Sequence, residues 1–192
     1  MDIGISKNIV KKFFERFTGK NETAKIARRY LVMNTFDGIL TVLGVVVGTY
    51  MAEGYTHPSV ILSAGFGASL AMGISGLTGT YLIERSERSE KNQYGTDEQN
   101  VDPHEESLFL ALVDGLAPVF ATLVAVIPFL LSLRNVISIE IAFSVSTIII
   151  LLELFSIGAF LGKIAGKNII WHGLITLVVG AITFILISML PF

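Results

Sequence analysis

The 192-residue chain contains no cysteine. That excludes disulfides, thiolate metal sites and cysteine nucleophiles, and says little about compartment. Histidine is scarce as well: His57, His104 and His172 are scattered over connections and segment ends. With no thiol and no clustered imidazole, an intramembrane enzyme is not expected. The amino-terminal segment lacks a short apolar core followed by a small-residue cleavage site, so it does not read as a signal peptide. No polar stretch is long enough for a separate soluble domain. No permanently bound cofactor and no nucleic-acid partner are expected.

What is present is apolar and blocky. Hydrophobic residues make up 52% of the chain, and they come in runs rather than amphipathic periods. A helix crossing a bilayer needs about 20 mostly apolar residues. Five runs meet that length, at roughly 31–52, 59–83, 108–133, 137–162 and 169–190. The predicted fold class is an all-α polytopic membrane protein with five transmembrane helices. Of the 14 basic residues, eight precede the first run (Lys7 to Arg29). Arg85, Arg88 and Lys91 follow the second run, Lys163 and Lys167 follow the fourth, and the opposite side has Arg134 alone. The positive-inside rule then puts the N-terminus in the cytosol and the C-terminus outside. Residues 1–30 form a basic cytosolic segment, and 31–192 a five-helix domain with an acidic cytosolic loop at 84–107. Within the first segment, Ile9, Phe13 and Phe17 share a face. This pattern suits either a short helix on the membrane surface or a merely solvated lead-in.

The first span carries an acid. An Asp near the centre of such a helix costs about 2.5–3.5 kcal/mol on insertion scales. From Asp37, steps along the helix reach Thr41, Gly44 and Gly48, a face polar at one end and bare at the other. Such a face admits a close neighbour and turns the carboxylate toward protein or water. Val46 is expected on the lipid side. The second span has a small-residue stripe of Gly65, Ser69, Gly76 and Gly79, interrupted by Met72. A thioether is a packing filler in most helices, but it is also a soft ligand that favours a transition metal over magnesium or calcium.

Beyond that span, Glu84, Glu87 and Glu90 stand three apart and read as an acidic ribbon. With Asp97, Glu98, Asp102, Glu105 and Glu106 they place eight of the 16 acidic residues in one connection. This is either a solvated, salt-bridged loop or a cation-collecting vestibule. The third span repeats the motif as Asp114-Gly115, with Pro118 four residues on. Proline cannot donate to the carbonyl of Asp114, so that turn offers a carbonyl and a carboxylate together. Glu153 is the acid of the fourth span, with Ser146 and Ser156 on or near its face. Glu140 sits at the outer edge, and Trp171 reads as an interface anchor. Asp37 and Asp114 lie about 10 Å, and Glu153 roughly 15 Å, from the cytosolic ends of their spans. Three acids in the cytosolic half, with Met72 near mid-depth, outline an ion path loaded from the cytosol.

These residues carry a family resemblance. Asp37-Gly38-Ile39-Leu40-Thr41 to Gly48, Gly67 through Gly76 around Met72-Gly73, and Tyr81-Leu82 to Ser86-Glu87 resemble the first two helices of the vacuolar iron transporter family. Gly158 through Gly166 resembles its fourth helix, and Gly173 through Gly180 its fifth. The resemblance implies a homodimer of five-helix protomers that moves Fe2+ or Mn2+ out of the cytosol in exchange for protons. It implies that Asp37 and Met72 line the path near the dimer axis. Glu84 and Glu87 match the start of a Glu-rich helical insertion that gathers metal in better-known members; here that connection is short and of mixed charge. The candidate metal residues are therefore Asp37, Met72, Asp114, Glu84, Glu87 and Glu153. Metal ion, protons and membrane lipid are the expected partners. The expected location is a prokaryotic plasma membrane, or a vacuolar membrane in a eukaryote. The alternative is a non-transporting membrane scaffold whose acids hydrogen-bond helices together.

Overall fold

The computed structural model describes residues 15–52, 57–93 and 103–190, with side chains omitted for 91–93 and 103. Among the described residues the regular structure is helical throughout. Five long helices follow one another: α1 Glu22–Ala52, α2 Pro58–Gln93, α3 Pro103–Leu133, α4 Ile139–Ile164 and α5 Ile169–Ser188. Each is long and apolar enough to span a bilayer. The chain is an all-α multi-pass membrane protein.

At about 1.5 Å per residue, the 31 residues of α1 and the 36 of α2 exceed a roughly 30 Å hydrocarbon core. The excess is polar. The helix of α1 starts at Glu22, nine residues before the apolar run, and α2 continues through the Glu/Arg-rich stretch to Gln93. Likewise α3 begins at Pro103. Most of the connection expected at 84–107 is therefore helix, because charged helix formers at four-residue spacing support one another in water. Asp97, Glu98 and Asp102 lie outside the described residues, as does the proposed surface helix up to residue 14.

Local chemistry fixes the helix ends. Asn21 Oδ1 accepts from Ala24 N at 3.0 Å, Ser138 caps α4, and Asn168 Oδ1 accepts from Trp171 N at 3.1 Å. Asn135 ends α3 with φ +56°, and Gly166 ends α4 with φ +65°. Val136 N then reaches back to Leu131 O, and Lys167 N to Gly162 O, closing both termini.

The chain divides into two compact bodies, Met1–Met33 with Gly73–Leu116, and Asn34–Met72 with Ala117–Phe192. In the first, Ala27, Phe109, Leu110 and Val113 form a buried cluster, with Phe17, Ile26, Tyr30 and Leu31 packed around it. Phe17 thus contributes to a protein core. In the second, α1 buries Gly38, Ile39, Val42, Leu43, Val46 and Val47. Val46, expected toward lipid, is 0% exposed. All faces of this helix are apolar, so hydrophobicity alone does not say which one faces protein.

Glycines decide where helices touch. A Cβ on Gly38 would lie 2.7 Å from Pro118 Cα, and one on Gly115 would lie 2.6 Å from Gly73 O. On α2, Gly65 meets Val126 and Gly76 meets Gly115, whereas Gly67 and Gly79 have open space. The stripe read on α2 is consumed at Gly65 and Gly76 by contacts within the chain. The α4–α5 pair is notched on both sides: Gly158 receives Thr176, Gly173 receives the Phe155 ring, and Gly180 receives Leu154. Thr176 Oγ1 also donates to the Leu154 carbonyl at 2.7 Å.

Candidate functional site

Asp37 and Gly38 are adjacent but do opposite things. Gly38 is buried against Pro118, whereas Asp37 is exposed on the chain. Thr41, Gly44 and Gly48, on the same face, are partly exposed. The carboxylate is therefore turned away from the core of its own body. Met72, in the same body, is half-buried. It sits between the buried Ser69 and Gly73.

Asp114, in the other body, is 5% exposed and its Oδ2 accepts from Thr80 Oγ1 at 2.6 Å. Most span hydroxyls bond to their own helix, as Thr78 does to the Ile74 carbonyl at 2.7 Å. Thr80 instead crosses from α2 to α3, where Gly76 and Gly115 let the two backbones approach. Removing a donor from a buried acceptor costs about 1–3 kcal/mol, although hydrogen bonds between membrane helices average only about 0.6 kcal/mol. Thr80→Val is expected to lower unfolding free energy by about 1–2 kcal/mol. Thr78→Val, which loses only a bond within its own helix on an exposed face, is expected to stay within about 0.5 kcal/mol. Thermal unfolding in detergent compares the two; equal effects would deny the Thr80–Asp114 bond its weight.

Glu153 is half-buried, and its Oε2 is buried without a hydrogen-bond partner. The two serines read beside it are engaged elsewhere. Ser146 Oγ donates to the Ala125 carbonyl at 2.7 Å, and Ser156 Oγ to that of Leu152 at 2.7 Å.

The acidic ribbon on α2 is split. Glu84 is 4% exposed while Glu87 and Glu90 are on the surface. Glu84 Oε1 accepts from Tyr30 Oη at 2.8 Å. Glu106, expected in a loop, is 6% exposed in the first turn of α3 and accepts from Thr23 Oγ1 at 3.0 Å. Arg88 donates from Nη1 to Glu106 Oε2, and its Nε lies 3.9 Å from Glu84 Oε2. Thr23, Tyr30, Arg88 and Glu106 were not singled out from the sequence. Two signals were there: Thr23 and Tyr30 stand seven apart on one helix face, and Glu84 and Arg88 stand four apart.

Within neither body do three acidic or imidazole side chains among the described residues gather as a metal cage. One charge relation does hold along the sequence. Residues 31–83, 108–133 and 135–162 contain five acids, Asp37, Glu53, Asp114, Glu140 and Glu153, but no lysine or arginine, and neither do residues 168–190. No fixed cation within a span can neutralise those acids.

No protein-family model matches the chain. It is similar to the uncharacterized protein MJ0645 of Methanocaldococcus jannaschii, with 32% identity over 166 aligned positions, covering 80% of this chain and 82% of the archaeal one. With that identity sustained over most of both lengths, the chain belongs to the same family as this archaeal relative, MJ0645.

Proposed function

We propose that the chain exports a divalent transition metal, ferrous iron or manganese, from the cytosol in exchange for protons, as members of the vacuolar iron transporter family do. The observation that carries this reading is Asp37: an exposed carboxylate on the apolar part of α1, in a chain whose apolar runs contain no lysine or arginine. A charge facing lipid is costly, so an intramembrane acid ordinarily faces protein or water and is neutralised there. A mobile cation is the neutraliser this composition leaves, either a proton or a metal ion. A second copy of the chain, related by a two-fold axis, covers the Asp37 face with itself and sets two carboxylates against a common cavity. Met72 supplies a soft donor in that cavity, which favours iron or manganese over magnesium. The membrane is the plasma membrane of a prokaryote.

For Asp114 the scaffold alternative has its own support, because the Thr80 hydroxyl already occupies Oδ2. Asp37 therefore takes the main ion-binding role. Glu84 and Glu106 share Arg88, so the Glu84/Glu87 pair is not a free collector at the cytosolic entrance.

Purified protein in proteoliposomes, with Fe2+ or Mn2+ on one side and a pH gradient across the membrane, tests the function directly. Metal flux above that of empty liposomes, accompanied by counter-movement of protons, is the expected result. Absence of flux with either metal would favour the scaffold. In the same assay, Met72→Leu keeps volume and removes the sulfur. Iron transport should fall about tenfold, equivalent to roughly 1.4 kcal/mol, with manganese transport falling less. An equal loss for both metals would make Met72 a packing residue.

A further inference from the structure

The arginines of the first body and the lysines of the second differ in what surrounds them. Arg16 meets Glu105 at 2.7 Å, and Arg28 donates to the Phe17 and Gly19 carbonyls. Arg85 donates to the Tyr81 hydroxyl at 3.1 Å, and Arg88 to Glu106. Each of these four charges has a protein acceptor. In the second body, Lys163 lies in the last turn of α4 and Lys167 in the turn that leads to α5. Both are exposed, and neither makes an ion pair among the described residues. No Asp or Glu follows Glu153 in the sequence, and Glu153 lies ten residues before Lys163, about 15 Å along the helix. The α4 macrodipole suits a cation at Lys163, but its influence ends with the last turn and leaves Lys167 without a counter-charge.

The surface around these two charges is apolar and held in shape. Residues 163–171 are exposed without interruption, and among them Ile164, Ile169, Ile170 and Trp171 are 45% to 64% exposed. Lys167 N donates to Gly162 O at 2.9 Å, and the Asn168 carbonyl accepts from the His172 ring at 2.9 Å, so the turn is closed from both sides. Paired cations beside a tryptophan, at the end of a membrane helix, match the chemistry of a lipid at the bilayer surface. We propose that the α4–α5 turn seats one anionic phospholipid, its phosphate at Lys163 and Lys167 and its acyl chains on the apolar side chains around Trp171. Charge complementarity selects this occupant. The counter-charge at hand in a bilayer is a lipid headgroup, and a zwitterionic headgroup brings a cation of its own. This inference does not depend on what the protein transports, or on whether it transports anything.

Trp171 is the only tryptophan of the chain, so its fluorescence reports this place alone. The full-length protein is reconstituted in phosphatidylcholine vesicles that also contain phosphatidylglycerol or phosphatidylcholine with brominated acyl chains, which quench a tryptophan they touch. Brominated phosphatidylglycerol should reach half of its full quenching at roughly a tenth of the mole fraction that brominated phosphatidylcholine needs. Lys163→Gln combined with Lys167→Gln should erase that preference; both positions are exposed, so the fold is retained. Lys20→Gln combined with Lys25→Gln, exposed positions of the first body, should leave the preference in place. Equal quenching by the two lipids in the unaltered protein overturns the seat. So does a preference that survives the loss of Lys163 and Lys167. A preference lost just as fully in the Lys20 and Lys25 variant overturns it too, by making the effect one of overall charge.

Discussion

Asp37→Asn should reduce metal flux in proteoliposomes to the level of empty vesicles while leaving the protein folded. The two halves of that expectation come from different atoms. Asparagine keeps the size of the side chain but loses the charge that draws a divalent cation into the membrane, and an amide is a weak ligand for a hard or borderline metal. A loss that large needs only the removal of one carboxylate per chain, since in the proposed two-fold arrangement the substitution removes both from the common cavity together. The fold should be indifferent, because Asp37 is exposed and the buried face of α1 at this depth is Gly38 and Ile39. Unfolding free energy should stay within about 0.5 kcal/mol of the unaltered protein. Flux at the original level would take Asp37 out of the path and leave the scaffold reading in possession of the field. A folded protein without flux is the result that the exporter requires.

The largest effect on stability should come from a single methyl group. Gly115→Ala places a Cβ 2.6 Å from the Gly73 carbonyl oxygen and 2.9 Å from the Leu77 nitrogen. These are backbone atoms of α2, so no rotamer change relieves the clash and the two helices must separate. Separation also lengthens the Thr80–Asp114 bond one residue away. Overpacking of this kind costs about 1–3 kcal/mol, and the lost hydrogen bond adds about 1 kcal/mol. Gly79→Ala is the matched control. It lies on α2 in open space, and replacing glycine by alanine in a helix stabilises by up to about 1 kcal/mol. Thermal unfolding of the two variants should therefore shift in opposite directions. Similar shifts would mean that α2 and α3 are not in backbone contact at Gly115.

The five helices and their order were legible from hydropathy, and so were the ends of α4 and α5, whose polar flanks are short. The ends of α1, α2 and α3 were not. Hydropathy marks the part of a helix that lies in lipid, and Glu22–Tyr30, Glu84–Gln93 and Pro103–Ser107 stay helical beyond it. The two Asp-Gly pairs were readable as a repeated motif, yet their roles diverge: Asp114 is inside with a hydroxyl partner, whereas Asp37 is outside. Nothing in a run such as Ile39 to Val47 distinguishes the protein-facing side from the lipid-facing side, which is why Val46 was misplaced. Glu106 was missed for a related reason. A carboxylate near polar neighbours looks solvated until the helices that bury it are assembled around it.

The notches of α4 and α5 carry a consequence for biogenesis. These two helices are joined by the short turn at Ala165–Asn168, and each holds glycine recesses filled by the other. They can therefore leave the insertion machinery as a finished pair, complementary to one another before meeting the rest of the chain. The first helix has no such companion. Its recess at Gly38 is filled by Pro118, 80 residues later in synthesis. Until Pro118 has entered the bilayer, α1 waits with an open groove at Gly38. The first segment to be made is thus the one longest exposed to wrong partners, and the one whose packing depends on the pace of translation.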